Sequence, residues 1–338
     1  MARQTYFIAS NLCLQQIKQV NRQNVWRLKG IHFGLALWSV FMLACNWDAA
    51  PDENQDSGEH KIKITTTVNM VSDLVRQIGG EHVEVVEIMG PGVDPHLYKA
   101  SANDVTKLQR ADAIFYVGLL LEGKMEEVLG KLKAGGKPVY AVTENIDTTR
   151  LLKPDEFEGH FDPHIWFEVP LWKETIDVVV AGLSQLDPAH KADYEANGNG
   201  AKVRMDELHQ WAETKVAAIP SEKRILVTSH DAYNYFGRAY GFKVVALQGI
   251  STVSEAGLAD RTKLVDFIKV QNVKTIFVET TVNPEAIKAI AADAGVKVGG
   301  ELFSDAMGER GQMEGKLDLG TYEGMIRHNL TTIVNALR

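Results

Sequence analysis

Cysteine is scarce in this sequence, and the scarcity limits the kinds of metal site that the protein can build. Only two cysteines occur in 338 residues, Cys13 and Cys45, and neither belongs to a Cys-x-x-Cys pair. Thiolate zinc sites and iron–sulfur clusters need several cysteines close together, so both are excluded. Because no cysteine follows Cys45, a metal site in the rest of the chain has to use histidine, aspartate or glutamate.

The sequence also lacks runs of lysine and arginine, and its formal net charge is -8. Neutralising a phosphate backbone requires clustered basic residues, so we expect no nucleic-acid partner. A His-Glu-x-x-His run, which is typical of zinc hydrolases, is absent as well. The length of 338 residues, with 45% hydrophobic and 24% charged residues, is that of an ordinary globular protein with two domains.

The first 45 residues have the pattern of an export signal. An apolar run at 31–45 is too short to span a membrane comfortably, which takes about 20 residues, and basic residues precede it. The run ends in Met-Leu-Ala-Cys at 42–45, which resembles a bacterial lipobox and makes Cys45 the expected lipidation site. A signal-anchor helix with an incidental cysteine is the alternative. The polar, acidic residues 46–60 predict a flexible tether to the membrane.

From residue 61 onward, short β-branched runs alternate with helical patterns. We predict strands at 62–68, 83–89, 113–118 and 138–142, then, after about 50 mostly helical residues, at 225–228, 244–247, 275–279 and 296–302. This rhythm favours an α/β fold of two lobes, each with a mostly parallel sheet flanked by helices. The expected lobes are 61–168 and 188–338, and a helix lies at 169–187 between them.

Four polar residues follow predicted strands or stiff loops, where open parallel sheets bind their ligands. The tripeptide Asp-Pro-His occurs twice and contains His96 and His164, and proline stiffens both loops. His230 and Asp305 follow strands of the second lobe. Taken singly, each histidine is more often structural and an aspartate there is usually a helix cap. Together, however, three imidazoles and one carboxylate predict a metal site between the lobes.

The donor set bears on the choice of metal. Three nitrogens and one carboxylate suit tetrahedral Zn(II), whereas a second carboxylate in place of His230 would suit Mn(II) better. The set therefore favours zinc, with manganese as the other candidate. A ligating histidine usually donates its second N–H to a carboxylate or carbonyl, and Glu279 and Asp231 are the candidates for that role.

At these residues the chain resembles the TroA-like zinc and manganese substrate-binding proteins of ABC importers. The resemblance runs from residue 62 to 337 and rests on six segments in order: 92–98, 162–166, 229–236, 249–256, 299–308 and 321–329. It implies two α/β lobes joined by one long rigid helix, here within 170–186. It also implies that His96, His164, His230 and Asp305 bind the ion. Many zinc receptors of this family carry a His-rich insertion in the first lobe, and its absence near 121–124 keeps manganese open.

The resemblance implies a receptor that is not an enzyme. It would capture Zn(II) or Mn(II) outside the cytoplasm, in the periplasm or at the cell surface, as a lipid-anchored monomer, and deliver the ion to a membrane permease. A metalloenzyme is the first alternative, but it would need an open coordination position for water. A surface adhesin is the second, and no repeats or low-complexity segments support it. A siderophore- or vitamin-binding protein would instead line its cleft with aromatic residues and arginine.

Overall fold

The computed structural model describes residues 61–338 apart from residue 158. The predicted signal segment 1–45 with Cys45, and the predicted tether 46–60, lie outside the described residues. Within the described part of the chain, no helix combines the length and apolar character needed to cross a bilayer.

The first lobe is built on a four-stranded parallel sheet in the order β2-β1-β3-β4. The two central strands, β1 and β3, are mostly buried, as their β-branched and apolar runs predicted. Helices connect successive strands, which parallel pairing requires. In chain order the elements are β1 (Ile62–Val68), α1 (Asn69–Gly79), β2 (Val83–Met89), α2 (Ala102–Arg110), β3 (Ala113–Tyr116), α3 (Met125–Ala134) and β4 (Val139–Ala141).

The second lobe contains two parallel strand pairs, β5 with β6 and β7 with β8. A short antiparallel hairpin, β9 with β10, follows them and was not predicted. The predicted α/β class, with mostly parallel sheets flanked by helices, is confirmed. The elements are β5 (Ile225–His230), α7 (Asn234–Tyr240), β6 (Lys243–Gln248), α8 (Leu258–Val270), β7 (Thr275–Glu279), α9 (Glu285–Ala294), β8 (Lys297–Leu302), β9 (Met313–Glu314), β10 (Leu317–Asp318) and α10 (Tyr322–Leu337).

Along the chain, three α-helices follow the first sheet and precede the strands of the second lobe: α4 (Val169–Trp172), α5 (Thr175–Leu186) and α6 (Lys191–Val216). The segment predicted to hold one long linker helix thus contains a four-residue and a twelve-residue helix. The longest described helix is α6, with 26 residues, and it packs against α1 of the first lobe and α10 at the end of the chain. The exact lobe boundaries stay a prediction.

The main hydrophobic core runs through both lobes without interruption. Buried residues of the first sheet, of the helices between the sheets and of α10 belong to one cluster. Large aromatic side chains from both lobes meet within it: Trp166, Phe167, Trp172, Tyr233 and Tyr322. A second, smaller cluster lies under α8 and α9. The two sheets are therefore joined by packed apolar side chains as well as by the chain itself.

Candidate metal centre

Four side chains from both lobes converge, three of them at or after the carboxyl ends of strands. His96 lies in the loop after β2, His230 is the last residue of β5, and Asp305 follows β8. His164 precedes a single turn of 3-10 helix. One ligand atom from each of the four lies within 4.8 Å of the others, and all four residues are buried. The structure thus brings together the four residues that the sequence predicted as metal ligands.

The distances within this cluster suit a small cation. Asp305 Oδ1 lies 3.3 Å from His164 Nε2, and Asp305 Oδ2 lies 3.1 Å from His230 Nε2 and 3.8 Å from His96 Nε2. The Nε2 atoms of His96 and His164 are 3.3 Å apart. Tetrahedral zinc, with bonds of about 2.0–2.1 Å, separates its ligand atoms by roughly 3.4 Å.

The hydrogen bonding of these atoms is as informative as their spacing. His230 Nε2 and both carboxylate oxygens of Asp305 are buried, yet none of them has a hydrogen-bond partner in the described structure. Leaving a buried polar group unsatisfied costs about 1–3 kcal/mol, and more for a charged group. Such atoms are rare in native proteins and often mark a site for an ion. The donor set therefore fits a divalent cation at this point.

The two Asp-Pro-His tripeptides build similar turns. Asp94 Oδ1 accepts the backbone N–H of His96 at 2.9 Å, and Asp162 Oδ1 accepts that of His164, also at 2.9 Å. Each aspartate thereby fixes the backbone from which its histidine projects. The turns differ at the ring, because Asp162 Oδ1 also lies 2.8 Å from His164 Nδ1. Asp162 belongs to the Asp-Pro-His motif, but the sequence did not predict it as the partner of an imidazole. The repeat of Asp-Pro-His was the available signal.

Glu279 holds the third imidazole. Its Oε2 lies 2.5 Å from His230 Nδ1, and its Oε1 accepts the backbone N–H groups of Ser229 and His230 at 2.7 and 2.9 Å. A proton on Nδ1 leaves the lone pair of Nε2 available to the centre of the cluster. Asp231, the other candidate, accepts a hydrogen bond from Asn234 at 3.0 Å, and no described hydrogen bond joins it to an imidazole.

The segment that contains Asp305 is held by residues of both lobes. Trp166 Nε1 donates to the carbonyl of Ser304 at 3.0 Å, and Tyr233 Oη donates to that of Phe303 at 2.7 Å. Asn69, in the first turn of α1, makes two hydrogen bonds to the backbone of Met307, at 2.9 and 3.1 Å. Asp305 thus belongs to the second lobe in sequence but is fixed by both.

Burial and neighbouring charges shift the pKa values of the three clustered histidines in opposite directions: one is lowered and two are raised. Burial lowers the pKa of His96 to about 3, so its imidazole is neutral. Burial alone would lower the pKa of His164, but the charge and hydrogen bond of Asp162, with Asp305, outweigh it and raise that pKa to about 9. Burial opposes a similar effect at His230, whose pKa Asp305 and Glu279 hold well above its usual range. A divalent cation would replace the protons on His164 and His230.

Comparison with known proteins places the chain in a family. The model of the family described as "Zinc-uptake complex component A periplasmic", ZnuA, matches residues 64–336. The chain belongs to the ZnuA family. This match confirms the resemblance to metal-binding receptors of ABC importers that the six segments predicted.

ZnuA-family relatives of both metal types are similar to this chain over most of their length. The manganese-binding lipoprotein MntA of Bacillus subtilis is 44% identical over 308 residues, covering 89% of this chain and 97% of MntA. The zinc-binding protein TroA of Treponema pallidum is 43% identical over 286 residues, covering 83% and 90%. The solved structure of that periplasmic TroA superposes with a TM-score of 0.78 at 41% identity, covering 82% of this chain and 99% of TroA.

Proposed function

We propose that this protein is an extracytoplasmic receptor that binds Zn(II) or Mn(II) at His96, His164, His230 and Asp305. In this proposal it delivers the ion to the membrane permease of an ABC importer. The observation that carries the proposal is the convergence of four buried ligand residues, with His230 Nε2 and both Asp305 oxygens lacking a hydrogen-bond partner in the described structure. The names of the relatives support it, since MntA is called manganese-binding and TroA zinc-binding. The ion is cargo rather than a resident cofactor.

We further propose that the protein acts on the ion only by binding it. Four protein ligands fill a tetrahedral shell, whereas catalytic zinc keeps a position open for water. The first prediction is that the purified full chain binds one Zn(II) or Mn(II), measured by metal analysis, and that His230→Ala weakens binding strongly. His209→Gln, on α6, is the matched control and should bind as the unaltered protein does. Binding that survives His230→Ala would contradict the proposal.

Competitive titration with both metals tests the selectivity argument. Because carboxylate oxygen suits Mn(II) better than imidazole nitrogen, His230→Glu should shift the preference from zinc toward manganese. An unchanged ratio of the two dissociation constants would show that the third ligand does not set the choice.

Location and assembly complete the proposal. We propose that Cys45 carries a lipid anchor, that residues 46–60 tether the receptor, and that the receptor works as a monomer with lobes 61–168 and 188–338. Several relatives are named lipoproteins, which supports the anchor. We also propose α6 as the helix that joins the lobes, because it packs on α1 and α10.

A further inference from the structure

A cavity of about 470 Å³ lies beside the four-residue cluster. Most of its walls belong to the second lobe, and Asp94 and Leu97 of the first lobe complete them. Part of its lining is exposed, so the cavity communicates with solvent. We call it the antechamber and define it by its polar lining residues: Asp94, Ser229, Gln248, Thr252, Glu255, Arg261, Thr281, Asn283 and Glu285.

The antechamber and the cluster share a wall. Asp94 accepts the backbone N–H of His96, and Ser229 immediately precedes His230. The backbone N–H of Ser229 also donates to Glu279, the carboxylate that orients the His230 ring. The cavity lining thus includes the residue next to His230 and the residue that fixes the backbone of His96.

Two buried polar atoms on the wall have no partner. Ser229 is only 2% exposed, and its Oγ makes no hydrogen bond in the described structure. Gln248 is partly buried, and its buried Oε1 also has no hydrogen-bond partner there. Both residues line the antechamber. A buried hydroxyl or amide oxygen normally finds a partner, so these atoms indicate that the cavity takes a ligand able to hydrogen-bond with them.

The charge of the lining indicates the sign of that ligand. Three carboxylates, Asp94, Glu255 and Glu285, line the antechamber, against the one guanidinium of Arg261. Lys288 offsets part of the charge of Glu285, at 3.1 Å. Apart from Arg261, the polar lining offers oxygen and amide groups with no imidazole or thiol, and apolar side chains such as Leu97, Leu247 and Ile287 form the rest of the wall. A cation that still carries its water molecules suits such walls, because hydroxyl, amide and carboxylate groups bind coordinated water by hydrogen bonds.

We propose that the antechamber is a transit site for a hydrated divalent cation, which rests there before it loses its water to the four ligands. Six waters at about 30 Å³ each occupy roughly 180 Å³, which fits the cavity. The inference rests on the proposed function, because it concerns the ion bound at the cluster. On entry the ion exchanges coordinated water for three imidazole nitrogens and one carboxylate, and the displaced water and any protons on those nitrogens leave to solvent. Thr252 Oγ1 donates to Asp94 Oδ2 at 2.6 Å and marks the boundary between lobes at this point.

Stopped-flow mixing of the full chain with Mn(II), and separately with Zn(II), tests the proposal. The observed rate should level off as metal concentration rises, since a transit complex fills before the ion moves inward. In the double variant Glu255→Gln/Glu285→Gln, the association rate constant at low salt should fall at least about threefold, and high salt should remove most of the difference. The dissociation rate should stay unchanged.

The control is Glu207→Gln/Glu213→Gln on α6, which makes the same change in net charge away from the cavity and should associate as the unaltered protein does. Equal association rates in the two double variants would overturn the transit site while leaving the proposed function intact. If the unaltered protein binds neither metal at equilibrium, both the proposed function and this inference are wrong.

Discussion

At the scale of single residues, the carboxylates that contact the Nδ1 atoms of the imidazoles determine how firmly the ligand side chains are oriented. Asp162 and Glu279 each contact an Nδ1 atom, at 2.8 and 2.5 Å, and each also accepts backbone N–H groups. One carboxylate therefore sets both the ring orientation and the backbone beneath it. His96 differs, because Asp94 accepts its backbone N–H and the hydroxyl of Thr252.

This arrangement predicts unequal effects of neutralising two neighbouring aspartates. Asp162→Asn should weaken metal binding about 10- to 100-fold, and Glu279→Gln should do the same, because each loses the charge that orients an imidazole and increases its basicity. Asp231→Asn is the matched control, since Asp231 bonds to Asn234 rather than to an imidazole. Competition with a chelator measures the dissociation constants. Equal losses in Asp162→Asn and Asp231→Asn would refute the assignment.

At the scale of elements, the loop between β3 and α3 supports the turn that carries His96. Leu119 and Leu120 have positive φ values of 56° and 70°, which are uncommon for residues other than glycine. The buried carboxylate of Glu122 accepts the backbone N–H groups of Val117 and Gly118, at 2.7 and 3.1 Å, and the hydroxyl of Thr67 in β1. These bonds hold the strained turn in place.

The same loop lies close to the backbone of the loop that carries His96. A Cβ atom added at Gly123, where φ is 50°, would lie 3.2 Å from the carbonyl oxygen of His96. Glycine is therefore suited to this position both for its backbone conformation and for the close approach.

Glu122 gives this loop a pH dependence that can be measured. Burial, opposed by its hydrogen bonds, raises the pKa of Glu122 from 4.5 to about 7. The folded chain then binds this proton more tightly than the unfolded chain, so the contribution of Glu122 to stability is present below pH 4.5 and is lost as pH rises toward 7. The loss is on the order of 3 kcal/mol.

Glu122→Gln removes the titrating group, so the free energy of unfolding of the metal-free protein should fall less between those two pH values than it does with glutamate. Urea unfolding at a series of pH values measures the difference. The exposed substitution Glu84→Gln should keep the original slope. Parallel curves for Glu122→Gln and the unaltered protein would count against a raised pKa in the folded state.

A feature of the fold or site could be predicted from the sequence when neighbouring residues along the chain determine it. The strands were predictable because buried parallel strands are continuous β-branched runs, such as 62–68. The ligand set was predictable because its members follow strands or lie in a repeated tripeptide. The role of Asp162 was not assigned, since the contact of its side chain with the ring depends on how the turn folds. The left-handed Leu119 and Leu120 could not be read from local propensity, because the turn is held by Glu122, which bonds to Val117 and Gly118, and by Glu126, which accepts the Leu120 N–H.

At the scale of the whole molecule, one apolar core joins the lobes, and the segment of Asp305 is bonded to both. Removing metal with a chelator should therefore lower the midpoint of thermal unfolding without separating the lobes into independent transitions. Free metal at 1,000 times the dissociation constant adds about 4 kcal/mol to the free energy of unfolding. Differential scanning calorimetry of the metal-bound and chelator-treated protein measures the midpoint of unfolding and the number of transitions. Two resolved transitions in either state would show that the lobes unfold separately.

The aromatic cluster behind the ligands has a consequence for how cargo leaves. Tryptophan, tyrosine and phenylalanine side chains from both lobes pack in this cluster. Separating the lobes widely would expose a large apolar area to water, so the cluster opposes that motion. If the receptor binds an ion as proposed, the cost of parting this core would slow the release of that ion. In the proposed receptor role, release would then require the docked permease to move the two lobes apart, so that docking rather than thermal motion would set the time of release.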